Sequence, residues 1–488
     1  LSFSESSFVN DILKFRLGTP IYTPPADNSA YPYMPGAPTL TYLIAALLGQ
    51  PDSIPVYRAV QFAYVILAAI MALRVSDLLA RKLLTEEEYR HRPLWLIAWL
   101  PFLFLVAIDD RFNAFNYSLH NDGLALLVTV TCFWLLLHHS NGPRGWHLLA
   151  MMLLPTLGFV VKQSLLIWIG IFPAYRLVSG KASLRQSLLV LLGAGFLAGG
   201  VIAFCYTLWG ENYVWWIFTA LGDKEIAPAR SLMNLLRAGA YAAFGLFAGY
   251  VLVLRRPARD VVTLWLIWSA LFGMQAYTSG IGWNVNHLGP GVVLATSWFL
   301  VAIARLWPKA DISTRAGAEH GMAWWQHIAQ QLGAAAIVLF VFAGALGAIR
   351  PPVNPIPADL ERYIADIEAE FEDLPAEQVL LDSGTWVYLE EGVVMKDRAW
   401  AVSLHNGENQ PINHILLRET IDRIQDKTYA RILAHELDTP ENWYDYHDRG
   451  SGVKAAIFDN YQVVRRIPAV KGINAWSSIS LVSEILVL

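Results

Sequence analysis

The side chains able to do chemistry fall in a few short stretches. Three carboxylates open the chain, Glu5, Asp11 and Asp27, followed by the run Tyr31-Pro32-Tyr33-Met34-Pro35. Further on, Asp109, Asp110 and Arg111 stand together, and Asn121 and Asp122 open an apolar run. Lys162 and Gln163 sit between two apolar runs, and Asn286 and His287 precede another. Carboxylates can take a proton from a nucleophile, and cations with amide donors can hold a developing negative charge. The first fifty residues read as the front wall of an active site.

The elements that must position these residues are membrane spans. Of 488 residues, 55% are hydrophobic and only 16% charged, against about 25% charged in soluble domains. The net charge of −4 says little, since placement of Lys and Arg carries the information in such a chain. Cys132 and Cys205 both lie in apolar runs and read as small core residues, not as a disulfide. Phe8, Ile12 and Phe15 at helical spacing predict a short helix over 4–17, and 38–48 predicts a second; both are too short to span and are expected to lie at the interface. Ten spans are expected over 56–79, 93–108, 122–138, 147–161, 164–178, 187–209, 236–254, 261–277, 289–306 and 329–348.

Charge sorts the loops. Arg81, Lys82, Arg90 and Arg92, then Arg144, then Arg176, Lys181 and Arg185, then Arg255, Arg256 and Arg259, then Arg305, Lys309 and Arg315 mark five loops as cytoplasmic by the positive-inside rule. These read as plain anchors. The chemistry-bearing residues, with His120, Asp223, Lys224, Glu225 and Asn284, all fall on the other side. Few ionisable residues sit mid-span, which argues against a channel or transporter. Tyr213, Trp215, Trp216 and Trp283 read mainly as an anchoring aromatic belt at the outer rim.

After Pro351 the composition turns soluble. Helices are expected over 357–371 and 413–424, and strands over 378–381, 429–434 and 455–458, giving a small extracytoplasmic α/β domain. The division is 1–55 as an external loop with two interfacial helices, 56–350 as an α-helical polytopic membrane domain, and 351–488 as the external domain. No Gly-rich phosphate loop, CxxC pair or HExxH occurs in the sequence.

The order of these pieces resembles the GT-C fold membrane glycosyltransferases. Glu5, the Gly18-Thr19-Pro20-Ile21-Tyr22 run and the stretch from Asp27 to Pro35 are similar to the first external loop of that family. Asn121-Asp122-Gly123-Leu124, Lys162-Gln163 and Gly282-Trp283-Asn284-Val285-Asn286-His287 extend the likeness, which is strongest to bacterial members ending in a small external domain. Two departures stand out: Ser4-Glu5-Ser6 replaces an Asp-Glu or Glu-Gly pair, and Asn121 stands where an Arg is frequent. Relatives carry a span before the acidic loop; the chain starts at Leu1, so a missing upstream span is expected.

The resemblance implies inverting transfer of a sugar from a polyprenyl-phosphate donor to a glycan, lipid or protein acceptor on the outer face of the plasma (inner) membrane. It implies Glu5 and Asp122 as catalytic residues. Lys162, Gln163, Asn286, His287 and Arg111 would bind the donor phosphate; Asp11, Asp27, Tyr22, Tyr31, Tyr33 and Asn121 would bind substrate. No cofactor is expected, and Asp109 and Asp110 are weak metal candidates. Each has a plainer alternative: Glu5 favouring a helix N-terminus, Asp27 making a turn, Asp109 paired with Lys162 or Lys224, Lys162 snorkelling to the interface. Rival readings are a metal-dependent oligosaccharyltransferase and a catalytically silent scaffold subunit. An ion-paired Glu5 beside a filled apolar cavity would favour the scaffold.

Overall fold

The computed structural model describes residues 3–27, 29–89, 92–109, 118–141, 145–220, 228–254, 258–277, 285–306, 359–381, 386–395, 411–435, 453–468 and 485–488. The expected span 329–348, Asp110, Arg111, Asp223, Lys224, Glu225, Trp283 and Asn284 lie outside them. The membrane part comprises α1 (Phe3–Leu17), α2 (Gly36–Leu47), α3 (Ile54–Leu83), α4 (Arg92–Ala107), α5 (Asp122–Asn141), α6 (Gly145–Val161), α7 (Trp168–Val178), α8 (Leu184–Val214), α9 (Pro228–Arg237), α10 (Gly239–Ala248), α11 (Arg259–Tyr277) and α12 (Gly289–Leu306). Among the described residues four helical stretches are long and apolar enough to cross a membrane: 54–83, 122–140, 184–219 and 289–306. The chain is a multi-pass membrane protein.

α3 is the axis of the bundle, packing against α4, α5 and α12. It runs longer than its apolar stretch predicts because Asp77 holds Arg81 one turn on (3.2 Å) and accepts from the Tyr89 hydroxyl (2.8 Å), which keeps its last polar turns helical. α8 starts with a reciprocal cap, Ser183 Oγ accepting from the Gln186 amide and Gln186 Oε1 from that of Ser183. It kinks at Gly210, where φ is +60°, a conformation that costs little without a Cβ. A turn of π-helix then carries it to Thr219. The expected loop 210–235 is thus helical at both ends, including α9.

One expectation about the first fifty residues needs correction. α1 does not lie at a surface: every residue from Glu5 to Lys14 is buried. Its apolar side, Phe8, Val9, Ile12 and Leu13, enters the core, each side chain contributing about 1.5–3 kcal/mol of burial. Its polar side, Ser6, Asn10, Asp11 and Lys14, is covered by the loop that follows. α2 meets α6 so closely that a Cβ on Gly36 would collide with the Val160 carbonyl. Trp216 and Tyr213 likewise are not a lipid-facing belt. Both are fully buried, Trp216 Nε1 donating to the Thr23 carbonyl (2.8 Å) and Tyr213 packing edge-on to Tyr22. Cys132 and Cys205 are buried and unbridged.

After residue 358 come α13 (Asp359–Glu368), β1 (Val379–Leu381), α14 (Trp386–Glu391), α15 (Pro411–Gln425), β2 (Arg431–His435), α16 (Val453–Asn460), β3 (Arg465–Ile467) and β4 (Ile485–Val487). The strands form one sheet in the order β1-β2-β4-β3, with β1 and β2 parallel and the other pairs antiparallel. The expected strand 455–458 is the helix α16. A four-residue run containing two alanines fits either element by periodicity, and alanine's helical preference decides it. Asn10 ties α1 to this region: its Oδ1 accepts the Met395 amide (2.8 Å) and its Nδ2 donates to the Ser29 carbonyl (2.7 Å).

Candidate active site

Four segments converge at the N-terminal end of α5. Asp122 is the first residue of that helix, where backbone N–H groups and the helix dipole favour a negative charge. Lys162 follows the last residue of α6 and is 6% exposed. Its Nζ donates to Asp122 Oδ1, and His120 Nδ1 lies 3.0 Å from Asp122 Oδ2. Asp122 therefore has one cation or imidazole on each oxygen. Burial alone would lower the Lys162 pKa; the Asp122 carboxylate outweighs that and raises it above an ordinary lysine's. Lys162 Nζ also sits 5.4 Å from the centre of the Tyr33 ring. The Tyr33 hydroxyl is shifted up in pKa, burial outweighing the nearby ammonium, so Tyr33 serves as a neutral ring and hydroxyl.

The loop before α2 forms the next wall. Tyr31 and Tyr33 pack edge-on against each other (4.8 Å) and against His120 (6.1 and 5.6 Å). Asn121 is fully buried and staples the segments, its Nδ2 donating to the Val161 carbonyl (2.7 Å) and that of Met34 (3.3 Å). Gln163 Nε2 does the same toward the Pro32 carbonyl (3.0 Å). Asn121 Oδ1 and Gln163 Oε1 are buried and have no hydrogen-bond partner among the described residues. These are two acceptors that a hydroxyl-bearing ligand would satisfy.

Glu5 reaches the same segment from α1. Arg58 on α3 grips it with two hydrogen bonds, Nε to Oε1 (3.0 Å) and Nη2 to Oε2 (2.7 Å), and the Leu119 amide donates to Oε1 (3.2 Å). Glu5 is almost fully buried, whereas the Arg58 side chain is 46% exposed. The ion-pair half of the scaffold criterion is thus met. Sequence reading missed Arg58 because an arginine near the start of a long span looks like an interface anchor. It missed His120 as a partner of Asp122 because residues two apart are not neighbours on a helix; they meet because the helix begins only at Asp122.

The remaining candidates fall elsewhere or play other parts. Tyr22 donates its hydroxyl to the Tyr33 carbonyl (2.7 Å) and is buried against Trp209 and Tyr213, so it braces the loop. Asp11 lies near Tyr22 on the buried polar side of α1; burial first, then the Asp11 charge, raises the Tyr22 pKa. Beside it, Lys14 is wholly buried and donates to the carbonyls of Ile21 (2.9 Å) and Ser29 (2.8 Å), closing the loop. Asp27 is half-buried in a 3-10 turn over Pro25–Asp27. Asp109 Oδ2 accepts from the Tyr241 hydroxyl (2.8 Å); of the two lysines expected beside it, Lys162 is engaged by Asp122 and Lys224 lies outside the described residues. Asn286 and His287 lie in the 3-10 turn Val285–Leu288, and His287 is close enough for its charge to act on Asp122.

No protein-family model and no curated protein sequence matches the chain. Solved structures do. The apo oligosaccharyltransferase from Archaeoglobus fulgidus superposes with a TM-score of 0.54 at 12% identity, over 95% of this chain and 69% of the other. The A. fulgidus oligosaccharyltransferase AglB, in complex with an inhibitory peptide and a dolichol-phosphate, gives 0.52 at 12% identity, over 93% and 67%. ArnT from Cupriavidus metallidurans in the apo state gives 0.46 at 14% identity, over 86% and 74%. The chain has the GT-C fold of membrane glycosyltransferases.

Proposed function

We propose that the chain is an inverting glycosyltransferase that takes a sugar from a polyprenyl-phosphate donor and passes it to an acceptor hydroxyl or amide on the outer face of the plasma membrane. The observation that carries this reading is the convergence of Glu5, His120, Asp122, Lys162 and Tyr33 on one end of α5. The acceptor atom attacks the anomeric carbon while the bond from that carbon to the phosphate oxygen breaks. The phosphate leaves with the electron pair, and the acceptor's proton passes to a carboxylate.

Lys162, His120 and His287 supply the positive charge that meets the departing phosphate, with Lys162 exchanging Asp122 for the phosphate oxygens as donor binds. Glu5 is the proton acceptor, provided that Arg58 releases it; the half-exposed guanidinium can swing toward solvent or toward the donor. Asp122, once released by Lys162, holds the sugar or the acceptor. Asn121 and Gln163 use their unpartnered oxygens on hydroxyls, and Asp11 and Asp27 border the loop that the substrate meets. No metal has a role in this scheme.

The experiment is transfer of labelled sugar from the lipid-phosphate pool of native membranes, with Glu5→Gln at matched protein level. A positioned general base is worth about 10²–10⁴ in rate, so the variant should lose transfer in that range while remaining folded. A second reading rests on the Glu5–Arg58 ion pair: the chain keeps the fold as a silent subunit of a larger complex. It predicts that Glu5→Gln and wild type support equal transfer.

A further inference from the structure

At the opposite end of α5, roughly 30 Å from Asp122 over a 20-residue helix, lies a second charged cluster that the proposed chemistry does not use. The basic residues there are not plain anchors. Lys82 on α3 pairs with Asp260 on α11 at 2.7 Å, and Lys181 approaches the same Asp260 oxygen at 3.4 Å. Ser140 donates to it as well (2.7 Å). One carboxylate is therefore shared by two ammonium groups.

A third cation remains. The Arg176 side chain belongs to a residue only 3% exposed; its Nη1 meets the Gln186 carbonyl at 3.5 Å, its Nε meets no acceptor, and no carboxylate among the described residues pairs with it. His139, 1% exposed, has no hydrogen-bond partner for either ring nitrogen among the described residues; its ring packs edge-on to that of His147 (5.5 Å) and lies within electrostatic reach of Arg176 and Lys181. Ser187, next to Gln186, is 3% exposed and its hydroxyl also has no hydrogen-bond partner among the described residues. A buried guanidinium whose one hydrogen bond among the described residues is a long contact to a carbonyl is poorly compensated for its lost hydration. Three unmatched polar side chains around an excess of positive charge call for one group rich in anionic oxygens.

We propose that this cluster is a binding site for a phosphate group. Phosphate offers several acceptor oxygens at once and matches the planar donor fork of Arg better than a carboxylate-poor protein interior does. Arg176 and His139 contact it, and Lys181, the more exposed ammonium, completes the charge. Leu177, Val178 and Leu184, neighbours of these residues in the chain, are 41–59% exposed, which sets the cluster close beneath an exposed apolar surface. Either a phospholipid headgroup or soluble phosphate could enter there.

The test uses the full chain. Thermal unfolding is followed in detergent with added inorganic phosphate against chloride at matched ionic strength. It is then followed in nanodiscs of phosphatidylglycerol against phosphatidylcholine. The wild type should be stabilised saturably in at least one pair. Arg176→Gln should bind about tenfold more weakly, equivalent to about 1.4 kcal/mol, and Arg176→Lys should retain part of the effect. If Arg176→Gln does not fold, Lys181→Gln takes its place with a smaller loss. Stabilisation by inorganic phosphate assigns a soluble source; stabilisation by phosphatidylglycerol alone assigns the lipid. No stabilisation in either pair, or an undiminished response in the substituted proteins, overturns the proposal.

Discussion

Replacing Lys162 by methionine removes the ammonium but keeps most of the side chain's volume. Asp122 is then left 6% exposed with His120 as its remaining close partner at 3.0 Å. Breaking one side of a buried pair costs about 3–5 kcal/mol, mostly because the surviving charge stays desolvated. His120 stays beside the carboxylate and offsets part of this, so the expected loss is near the lower end, about 3 kcal/mol. Adding Asp122→Asn removes the stranded charge, and the double variant should regain about 1–3 kcal/mol relative to Lys162→Met alone. Catalysis should behave differently. A charged donor aimed at developing negative charge contributes about 10²–10³ in rate, and neither the single nor the double variant should recover it. The assay pairs reversible unfolding in mixed micelles with sugar transfer on the same preparations. A double variant no more stable than Lys162→Met would show that the two charges are not energetically coupled. Wild-type transfer by the double variant would remove the pair from the chemistry.

Three further outcomes follow from the same contacts. Gly36→Ala should destabilise the protein by about 1–3 kcal/mol, read by thermal unfolding, because its methyl meets the Val160 backbone carbonyl, which cannot rotate away. Asn10→Ala should free the stretch around Met395, costing about 1–3 kcal/mol for the Met395 amide left without its acceptor and raising its hydrogen exchange. The folded pKa of Lys162 lies above its ordinary value, so its stabilising contribution is complete below an ordinary lysine pKa of about 10.4 and is lost only as pH rises through the higher folded value. Unfolding free energy of the wild type should therefore exceed that of Lys162→Met by a constant amount across the Lys162 part of the profile up to that pH; a gap that closes already between pH 7 and 9 would contradict the pairing.

The spans and the site were legible to different degrees. Apolar runs located helices at nine of the ten expected spans, and four helical stretches among the described residues are long and apolar enough to cross a membrane, since hydropathy is a local property of the chain. The segment order Glu5, Tyr31-to-Pro35, Asn121-Asp122 and Lys162-Gln163 pointed to one site, and the structure brings those segments together. What sequence could not show was partnership. Arg58 finds Glu5 through a tertiary contact that no spacing encodes, His120 meets Asp122 only because the helix begins at Asp122, and the burial of α1 depends on a loop wrapping its polar side and accepting from Lys14. The Asp260 cluster escapes for a related reason: by sequence Lys82 and Lys181 read as loop charges, whereas helix packing sets both on the single carboxylate of Asp260. The run 455–458 was ambiguous because four apolar residues fit two periodicities.

The most direct measurement is made on the purified chain alone, in liposomes that contain a polyprenyl-phosphate-linked sugar and a broad mixture of acceptors, with free polyprenyl phosphate detected by mass spectrometry. The account predicts that polyprenyl phosphate accumulates with wild type, matched by an equal amount of glycosylated product, and is sharply reduced with Glu5→Gln and with Lys162→Met. Release that is unchanged in both variants, or absent with a folded wild type under every donor tested, would contradict a catalytic site at this end of α5.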